Sequence, residues 1–254
     1  SANKKIKMSK SDNIYIYGRN PIIEALMNRP NAVEKVFIKS SIQLNSIEGL
    51  ADLISKNSVP VSKVPQIKIQ NLVGRVNDQG IVALLSQITY TNFFDWVTEV
   101  DLNSNPAVVF LDGIEDPYNF GAILRSAVAA GISAVIVPTQ KQSPVNATVF
   151  KTSSGTAGRI PIIRVHDTNQ GLKDLALAGF EICAIDGNST TNFWDAEFNK
   201  PIAFLIGNEG EGIDKKVLKK ASSTLRIPMV NNVESLNASV SAALICYEWA
   251  RKKT

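Results

Sequence analysis

The sequence predicts an α/β protein with two domains, a small one at the N-terminus and a larger one built on a mainly parallel sheet. Short apolar runs of strand length alternate with segments whose apolar residues have helical spacing. Strands that alternate with helices indicate a sheet covered on both faces. This alternation weakens between positions 91 and 105, where a polar cluster at 101–105 leads to Pro106. The boundary between the two domains is therefore expected there.

The first domain is predicted over residues 13–90. It follows a polar and basic segment, residues 1–12, that we expect to be disordered. Apolar residues at helical or strand spacing predict strands near 14, at 33–38, 59–64 and 81–85, and helices after 20, at 44–56 and at 67–73. Residues 91–105 are predicted to be a linker with one or two helical turns.

The second domain is predicted over residues 106–254 and begins with a βαβ unit. Its first strand, 107–111, leads into a helix at 119–130 and a strand at 134–137. Further strands are predicted at 160–165, 181–185, 202–206 and 224–227, and helices at 143–150, 172–178, 214–221 and 236–252. This order is typical of a doubly covered, mainly parallel sheet.

The stretch LDGIEDPYNFGAILRSAVAAG at 111–131 joins a strand to a helix through an acidic turn. The residue before a proline avoids the helical region, so Asp116-Pro117 predicts a turn. Asn119 is expected to cap the helix with its side-chain oxygen, and Arg125 projects from an otherwise small and apolar helix. Each also has an ordinary structural alternative, since Asn119 could only cap and Arg125 could only pair with a surface acid.

Three loops that follow predicted strands, 112–121, 207–213 and 228–237, should converge on one edge of a parallel sheet. The glycines of GNEGEG at 207–212 allow the backbone to approach a ligand closely. This stretch is neither a Walker phosphate loop nor a GxGxxG dinucleotide motif. Taken alone, it is more consistent with a plain structural turn than with a ligand site.

Composition narrows the class of protein. The 254 residues are 44% hydrophobic and 20% charged, which is typical of folded globular chains. No apolar run is long enough to span a bilayer, and the first residues lack the apolar core of a signal peptide, so we expect a cytoplasmic location. A net charge of +4 permits a polyanion as partner. Cys183 and Cys246 indicate core thiols rather than a metal site or a disulfide.

Three stretches resemble the ordered motifs of one enzyme family. They are NFGAILR at 119–125, FLIGNEGEGI at 204–213 and IPMVNNVESLNASVSAA at 227–243. In order and spacing they resemble the motifs of the SpoU/TrmH RNA ribose 2'-O-methyltransferases of the SPOUT superfamily. YGRNPIIEAL at 17–26 resembles the start of the substrate-binding domain, similar to ribosomal protein L30e, of the subgroup that modifies 23S ribosomal RNA.

The resemblance implies an L30e-like domain followed by an α/β domain whose C-terminal segment forms a deep trefoil knot. It also implies S-adenosylmethionine as cofactor, RNA as substrate and a homodimer, with no metal and no membrane partner. By their places in the motifs, the polar active-site residues are Asn119, Arg125, Glu209, Ser235 and Asn237. The residues expected to hold the cofactor are Gly207, Asn208, Ile227, Met229 and Leu236.

The residue types fit methyl transfer to a ribose hydroxyl, which must lose its proton as it attacks. Arg125 matches the family's proposed activator. Because a guanidinium stays charged in water, we expect it to position an RNA phosphate and stabilise the developing alkoxide. Glu209 is expected to orient Arg125 or the ribose. Candidates for RNA phosphate contacts are Arg19, Lys151 and Arg159, while the only histidine, His166, is expected to have no catalytic role.

Asn231 departs from the family pattern, because the third motif usually has glycine there. Asparagine tolerates a left-handed backbone, so the loop should form, but its side chain would affect the cofactor pocket. The leading interpretation is methylation of 23S ribosomal RNA, and a transfer RNA target stays open. Lost cofactor binding at Asn231 would favour a non-catalytic ribosome assembly factor that binds RNA. A small-molecule nucleotide-binding protein would need neither the first domain nor Arg125.

Overall fold

The structure is a computed structural model that describes residues 6–8, 13–86, 89–208, 210 and 212–253. The chain divides into two compact units, one comprising Ser1–Tyr90 and Pro144–Ala147, the other Thr91–Ser143 and Thr148–Thr254. Within the described ranges, every helix is too short or too polar to cross a membrane.

The described residues of the first unit form a five-stranded mixed sheet with three α-helices. Its elements are β1 (Ile6–Met8), β2 (Ile14–Tyr17), α1 (Arg19–Asn28), β3 (Val33–Lys39), α2 (Leu50–Lys56), β4 (Val61–Val64), α3 (Gln66–Val73) and β5 (Ile81–Leu85). The strand order is β1-β2-β5-β3-β4, and β3 and β4 are the parallel pair. The unit ends at Tyr90, whose buried hydroxyl donates to the buried Glu34 carboxylate over 2.7 Å.

The disorder expected for residues 1–12 is wrong for part of that segment. Residues 6–8 form β1, which pairs antiparallel with β2 through Ile6 opposite Ile16 and Met8 opposite Ile14. Alternating Ile-Lys-Met is a strand pattern that the basic composition of the segment obscured. Residues 1–5 and 9–12 lie outside the described residues.

The second unit contains a six-stranded sheet in the order β11-β9-β10-β6-β7-β8, and each neighbouring pair is parallel. Its strands are β6 (Ala107–Asp112), β7 (Ala134–Pro138), β8 (Ile162–Val165), β9 (Glu181–Ile185), β10 (Ile202–Gly207) and β11 (Ser223–Leu225). Its helices are α4 (Phe93–Glu99), α5 (Pro117–Ala129), α6 (Ala147–Thr152), α7 (Thr168–Leu177), α8 (Lys215–Leu218) and α9 (Ala238–Lys253). The predicted α/β class with a mainly parallel sheet is confirmed.

Helices cover both faces of this sheet, so its strands are buried on both sides. Val108 and Phe110 of β6 belong to a core that includes residues of α4, α7 and α8. Side chains alternate along a strand, so Val109 and Leu111 point to the other face. Helix α9 packs there against β10 and against α5. The trefoil knot implied by the family resemblance stays a prediction.

The segment predicted as a linker, 91–105, is packed into the second unit. Asn92 caps α4 by accepting from the backbone N–H groups of Phe94 and Asp95. Phe93 and Trp96 are buried in the core of the unit, at a spacing that places both on one face of the helix. These two aromatic residues explain why a short polar stretch is held in place.

Candidate functional site

A cavity of about 390 Å³ lies at the carboxyl ends of β6 and β10 in the second unit. Adjacent parallel strands bring their following loops to this edge, in register from Ile202 beside Ala107 to Gly207 beside Asp112. The lining residues are Gly113, Ile114, Glu115, Asp116, Asn119, Lys141, Asn208, Gly210 and Ala238. All three motif stretches of the sequence therefore contribute to one cavity.

The turn after β10 depends on Gly207. A Cβ atom at this position would lie 2.5 Å from the backbone C and O atoms of Gly212. The turn is closed by the N–H of Gly212, which donates to the Asn208 carbonyl over 3.2 Å, and the Asn208 side chain accepts from Gly210 over 3.0 Å. Glu209, the predicted orienting carboxylate, lies outside the described residues.

The N-terminal cap of α5 is Asp116, and the prediction that Asn119 caps this helix is wrong. The Asp116 carboxylate accepts from the N–H groups of Tyr118, over 3.1 Å, and Asn119, over 3.4 Å. Aspartate at the cap followed by proline at the first helical position is a favoured start. The helix therefore begins at Pro117 rather than at 119.

Asn119 instead joins the first motif to the third. Its side-chain oxygen accepts a 3.0 Å hydrogen bond from the Asn237 amide. The Asn237 oxygen accepts from the N–H groups of Ser239, over 2.9 Å, and Val240, over 3.4 Å, at the start of α9. Because these backbone donors fix the orientation of Asn237, its NH₂ group is the one directed at Asn119.

Arg125 does not line the described part of the cavity. It lies six residues beyond Asn119 on α5, which places it about 120° around the helix axis and about 9 Å along it. The side chain is exposed and has no hydrogen bond or ion pair with any described residue. The sequence therefore identified Arg125 as a motif residue, but a single chain does not bring it beside Asn119.

The predicted cofactor residues divide into two groups. Asn208 lines the cavity, and Gly207 and Leu236 each directly precede a residue near or on its lining. Ile227 and Met229 are half-buried in the segment that follows β11 and do not line it. Asn231 has a φ of 56°, a value that asparagine tolerates, and its effect on the cofactor pocket stays a prediction.

The remaining predicted residues are exposed and lie outside the cavity lining. Ser235 immediately precedes Leu236, and Lys151 and Arg159 lie at the end of α6 and in a 3₁₀ turn. Arg19 belongs to the first unit, at the start of α1. His166 is exposed and contacts Asp167, whose pKa is lowered first by the Gln170 backbone N–H and then by His166.

Three charged lining residues, Glu115, Asp116 and Lys141, were not among the site residues predicted from the sequence. Asp116 could have been found from the Asp-Pro dipeptide at a helix start. Lys141 has no such signal, because its place depends on a loop with a left-handed φ of 52°. The N–H of Ser143 donates to the Ile114 carbonyl over 2.7 Å and ties this loop to the one after β6. The cavity thus carries carboxylates, amides and an ammonium group, which together suit a ligand with several polar groups.

A second feature of this unit is an apolar groove of about 760 Å³ between α5 and α9. Val240 is 46% exposed, Leu244 37% and Tyr247 54%, whereas the opposite side of α9 is buried. The groove is lined by Ala122, Ser126, Phe193, Ser239, Val240, Ala243, Leu244, Tyr247, Glu248 and Arg251. At its end, the Arg251 guanidinium donates to Glu248 and lowers the pKa of that carboxyl.

No three His, Cys, Asp or Glu side chains of the described residues come together as a metal site. Cys183 and Cys246 are buried free thiols, and burial raises their pKa values to about 11 and about 12. Neither thiol takes part in the cavity.

Comparison with known proteins gives matches over nearly the whole chain. The profile of the SpoU rRNA Methylase family matches residues 106–247, and that for RNA 2'-O ribose methyltransferase substrate binding matches residues 15–91. A protein of Staphylococcus haemolyticus named as a TrmH family tRNA/rRNA methyltransferase is 33% identical over 243 residues, which is 95% of this chain and 97% of the relative.

Two solved structures share the fold. The AdoMet-bound rRNA methyltransferase from Sinorhizobium meliloti has a TM-score of 0.59 and 23% identity, with 94% of this chain and 86% of that chain covered. The SpoU methyltransferase AviRb from Streptomyces viridochromogenes, in complex with AdoMet, has a TM-score of 0.59 and 22% identity, with 95% and 90% covered.

Proposed function

The chain belongs to the SpoU family of RNA methyltransferases, and from this premise we propose that it methylates a ribose 2'-hydroxyl of 23S ribosomal RNA with S-adenosylmethionine. The observation that carries the proposal is the Asn119–Asn237 hydrogen bond, which joins the first and third motifs at a cavity lined by Asn208 of the second. The match of residues 15–91 to a ribose methyltransferase substrate-binding domain supports the 2'-hydroxyl as the methylated group.

The residues present fit S-adenosylmethionine. After β10, Gly210 lines the cavity without a side chain, and Asn208 adds an amide to the lining. Ile227, Met229 and Leu236 are apolar and only half-buried, so they retain surface for an adenine ring. When bound, this cofactor supplies an electrophilic methyl group. Its binding by relatives named with AdoMet supports the assignment.

The polar residues of the cavity would orient the ribose and exclude alternative attacking groups. Asn119 is held by Asn237, so its position does not depend on bound substrate. Lys141 places a positive charge at the rim, where it suits an RNA phosphate or a developing alkoxide. Fixed alignment of the hydroxyl with the methyl group would provide much of the rate acceleration. The proton leaves through phosphate or water, because Arg125 stays charged.

We also propose that the protein is a homodimer that buries the groove between α5 and α9. Val240, Leu244 and Tyr247 expose one apolar face of α9, and the groove that they line continues onto α5 at Ala122 and Ser126. Arg125 precedes Ser126 in the chain and is exposed. A second copy seated on this groove would therefore place Arg125 at the subunit boundary, which accounts for a motif residue outside its own chain's cavity.

The oligomer is tested by sedimentation of variants at equal concentration. Leu244→Asp should convert the dimer to monomers, because it places a carboxylate in an apolar interface. Leu177→Asp is the matched control, since Leu177 is 77% exposed on α7 and outside the groove. A monomeric unaltered protein, or a dimeric Leu244→Asp variant, would contradict the proposed interface.

The RNA target is proposed from the family matches. The SpoU rRNA Methylase match of the second unit supports ribosomal RNA, while the first unit's match supports RNA in general and the relatives are named for both tRNA and rRNA. Transfer RNA is therefore the second candidate. An RNA substrate and two buried free thiols also support the expected cytoplasmic location.

The target is tested by transfer of tritiated methyl groups to unmodified 23S ribosomal RNA and to unmodified transfer RNA. We expect label in 23S RNA only, at an alkali-resistant linkage, and a large loss with Arg125→Ala. Lys173→Ala removes an exposed cation from the same unit and should behave as the unaltered protein. Label in transfer RNA alone would show that transfer RNA, and not 23S ribosomal RNA, is the target. Absence of methyl transfer together with absence of S-adenosylmethionine binding would contradict the proposed methyltransferase function.

A further inference from the structure

Helix α8 and the turn directly after it carry a cluster of four lysines that the cavity does not use. Lys215, Lys216, Lys219 and Lys220, here called the lysine patch, are all exposed. Lys215 and Lys216 lie in α8. Lys219, its C-terminal cap, has a helical backbone, and Lys220 lies in the turn beyond it. Four of the chain's 27 basic side chains are thus concentrated within six residues.

The opposite side of α8 fixes the lysine patch to the domain. Val217 is 7% exposed and belongs to the core that includes strands β6, β9 and β10. Leu218 packs against the same core. The lysines therefore project from a short but anchored element, and their backbone positions are set by apolar packing rather than by charge.

No acidic side chain neutralises the lysine patch among the residues that the structure describes. None of the four lysines takes part in an ion pair there. Asp214 is the one acid between positions 212 and 222, and its oxygen accepts from the N–H of Lys216 as the cap of α8. Like charges four residues apart destabilise a helix, so the pair Lys215–Lys219 has an electrostatic cost that a polyanion would relieve.

The lysine patch lies close to the cavity along the chain. Lys215 follows Gly210, which lines the cavity, by five residues, so their Cα atoms are at most about 18 Å apart. Along one strand of a nucleic acid duplex, phosphates recur about every 3.4 Å. A strand with one nucleotide in the cavity would therefore reach the lysine patch within about five nucleotides.

We infer that the lysine patch binds the phosphates of the RNA strand next to the nucleotide held in the cavity. This inference rests on the proposed function, because it places the methylated nucleotide in that cavity. Lysine ammonium groups contact phosphates as point charges and read no sequence. The lysine patch thus contributes affinity and orients the strand, while the choice of nucleotide depends on other contacts.

The test measures the affinity of the full-length protein for an unmodified 23S ribosomal RNA transcript between about 50 and 200 mM salt. The variant Lys215→Gln/Lys216→Gln is compared with Lys173→Gln/Lys200→Gln, which removes the same charge from isolated exposed lysines of the same unit. Each lost phosphate contact should make the plot of log affinity against log salt shallower by about 0.7, so we expect a difference of about 1.4 for the lysine-patch variant only. Calorimetry with S-adenosylmethionine should give unchanged affinity in both variants.

An equal salt slope and equal RNA affinity in the two double variants would overturn the inference. Binding of the unaltered protein to vesicles with anionic lipid, lost in the lysine-patch variant while RNA binding is kept, would also overturn it. The binding measurement is independent of catalysis. If the unaltered protein binds RNA through the lysine patch yet transfers no methyl group, the proposed function is contradicted and RNA binding by the lysine patch is supported. If methyl transfer is normal and the lysine-patch substitutions have no effect on RNA binding, the inference about the lysine patch is contradicted and the proposed function is kept.

Discussion

Replacing Gly207 with alanine should disable the cavity without unfolding the protein. The added Cβ atom would lie 2.5 Å from two backbone atoms of Gly212 and 2.8 Å from Cγ1 of Ile213. Ordinary contacts begin near 3.4 Å, so the turn at 207–212 must open by roughly 1 Å. Backbone atoms of Gly212 cannot rotate away as a flexible side chain would. The hydrogen bond from Gly212 to the Asn208 carbonyl is the contact most directly strained.

The magnitude follows from these contacts. Overpacking of this kind costs about 1–3 kcal/mol of folding free energy, and the lost hydrogen bond accounts for about 1 kcal/mol of it. Displacement of a binding group by 1 Å can cost on the order of 100-fold in rate. We therefore expect weaker binding of S-adenosylmethionine and a loss of methyl transfer that is larger than the loss of stability would explain.

The assay combines calorimetric titration of the cofactor with urea unfolding and methyl transfer. Gly187→Ala is the matched control, because a Cβ atom at Gly187 would meet no atom within 4 Å. This control should keep wild-type affinity and activity. If Gly207→Ala bound the cofactor as tightly as Gly187→Ala, the turn after β10 would not form part of the cofactor site.

Three further predictions concern caps and thiols. Asn237→Ala should lower the free energy of unfolding by about 1 kcal/mol in urea titrations. Asn237→Asp keeps the cap acceptor and should restore the free energy of unfolding. Methyl transfer by Asn237→Asp should stay low, because the donor to Asn119 is lost. Asp116→Ala should also lower the free energy of unfolding by about 1 kcal/mol, and Asp116→Asn should restore most of that loss. Equal melting temperatures of the Asp116→Ala and Asp116→Asn variants would contradict the capping role of Asp116. Burial raises the pKa of the Cys246 thiol to about 12, so above pH 9 the unfolded state loses a thiol proton that the folded state keeps. The free energy of unfolding should therefore fall by about 1.4 kcal/mol per pH unit because of this thiol. Urea unfolding between pH 8 and about 10 should show a smaller fall for Cys246→Ala, and an equal fall would contradict the burial effect.

The order of strands and helices was largely predictable, because apolar periodicity reports burial directly. The apolar runs at 107–111 and 202–206 predicted two strands, and the structure contains both, side by side in the sheet. The packing of residues 91–105 was not predictable from the sequence, because Phe93 and Trp96 occupy only one turn of helix, which is too short to give a periodic signal. The same limit applies to β1, where three residues alternate within a basic segment.

Motifs predicted only part of the cavity lining, and they did not predict its geometry. Of the predicted site residues, Asn119 and Asn208 line the cavity, and a hydrogen bond joins Asn119 to Asn237. Asn119 was nevertheless given a capping role that belongs to Asp116, because both residues are favourable caps and only the backbone decides between them. The position of Lys141 arises from a left-handed residue in a loop, for which the sequence offers no rule.

Nucleoside mass spectrometry tests directly whether the protein methylates a ribose 2'-hydroxyl of 23S ribosomal RNA. An unmodified 23S ribosomal RNA transcript is incubated with the protein and S-adenosylmethionine whose methyl group carries deuterium, and then digested to nucleosides. We expect one labelled 2'-O-methylribonucleoside, which is lost with Arg125→Ala and retained with Lys173→Ala. Label on a base, or no labelled nucleoside from a protein that binds the cofactor, would contradict it.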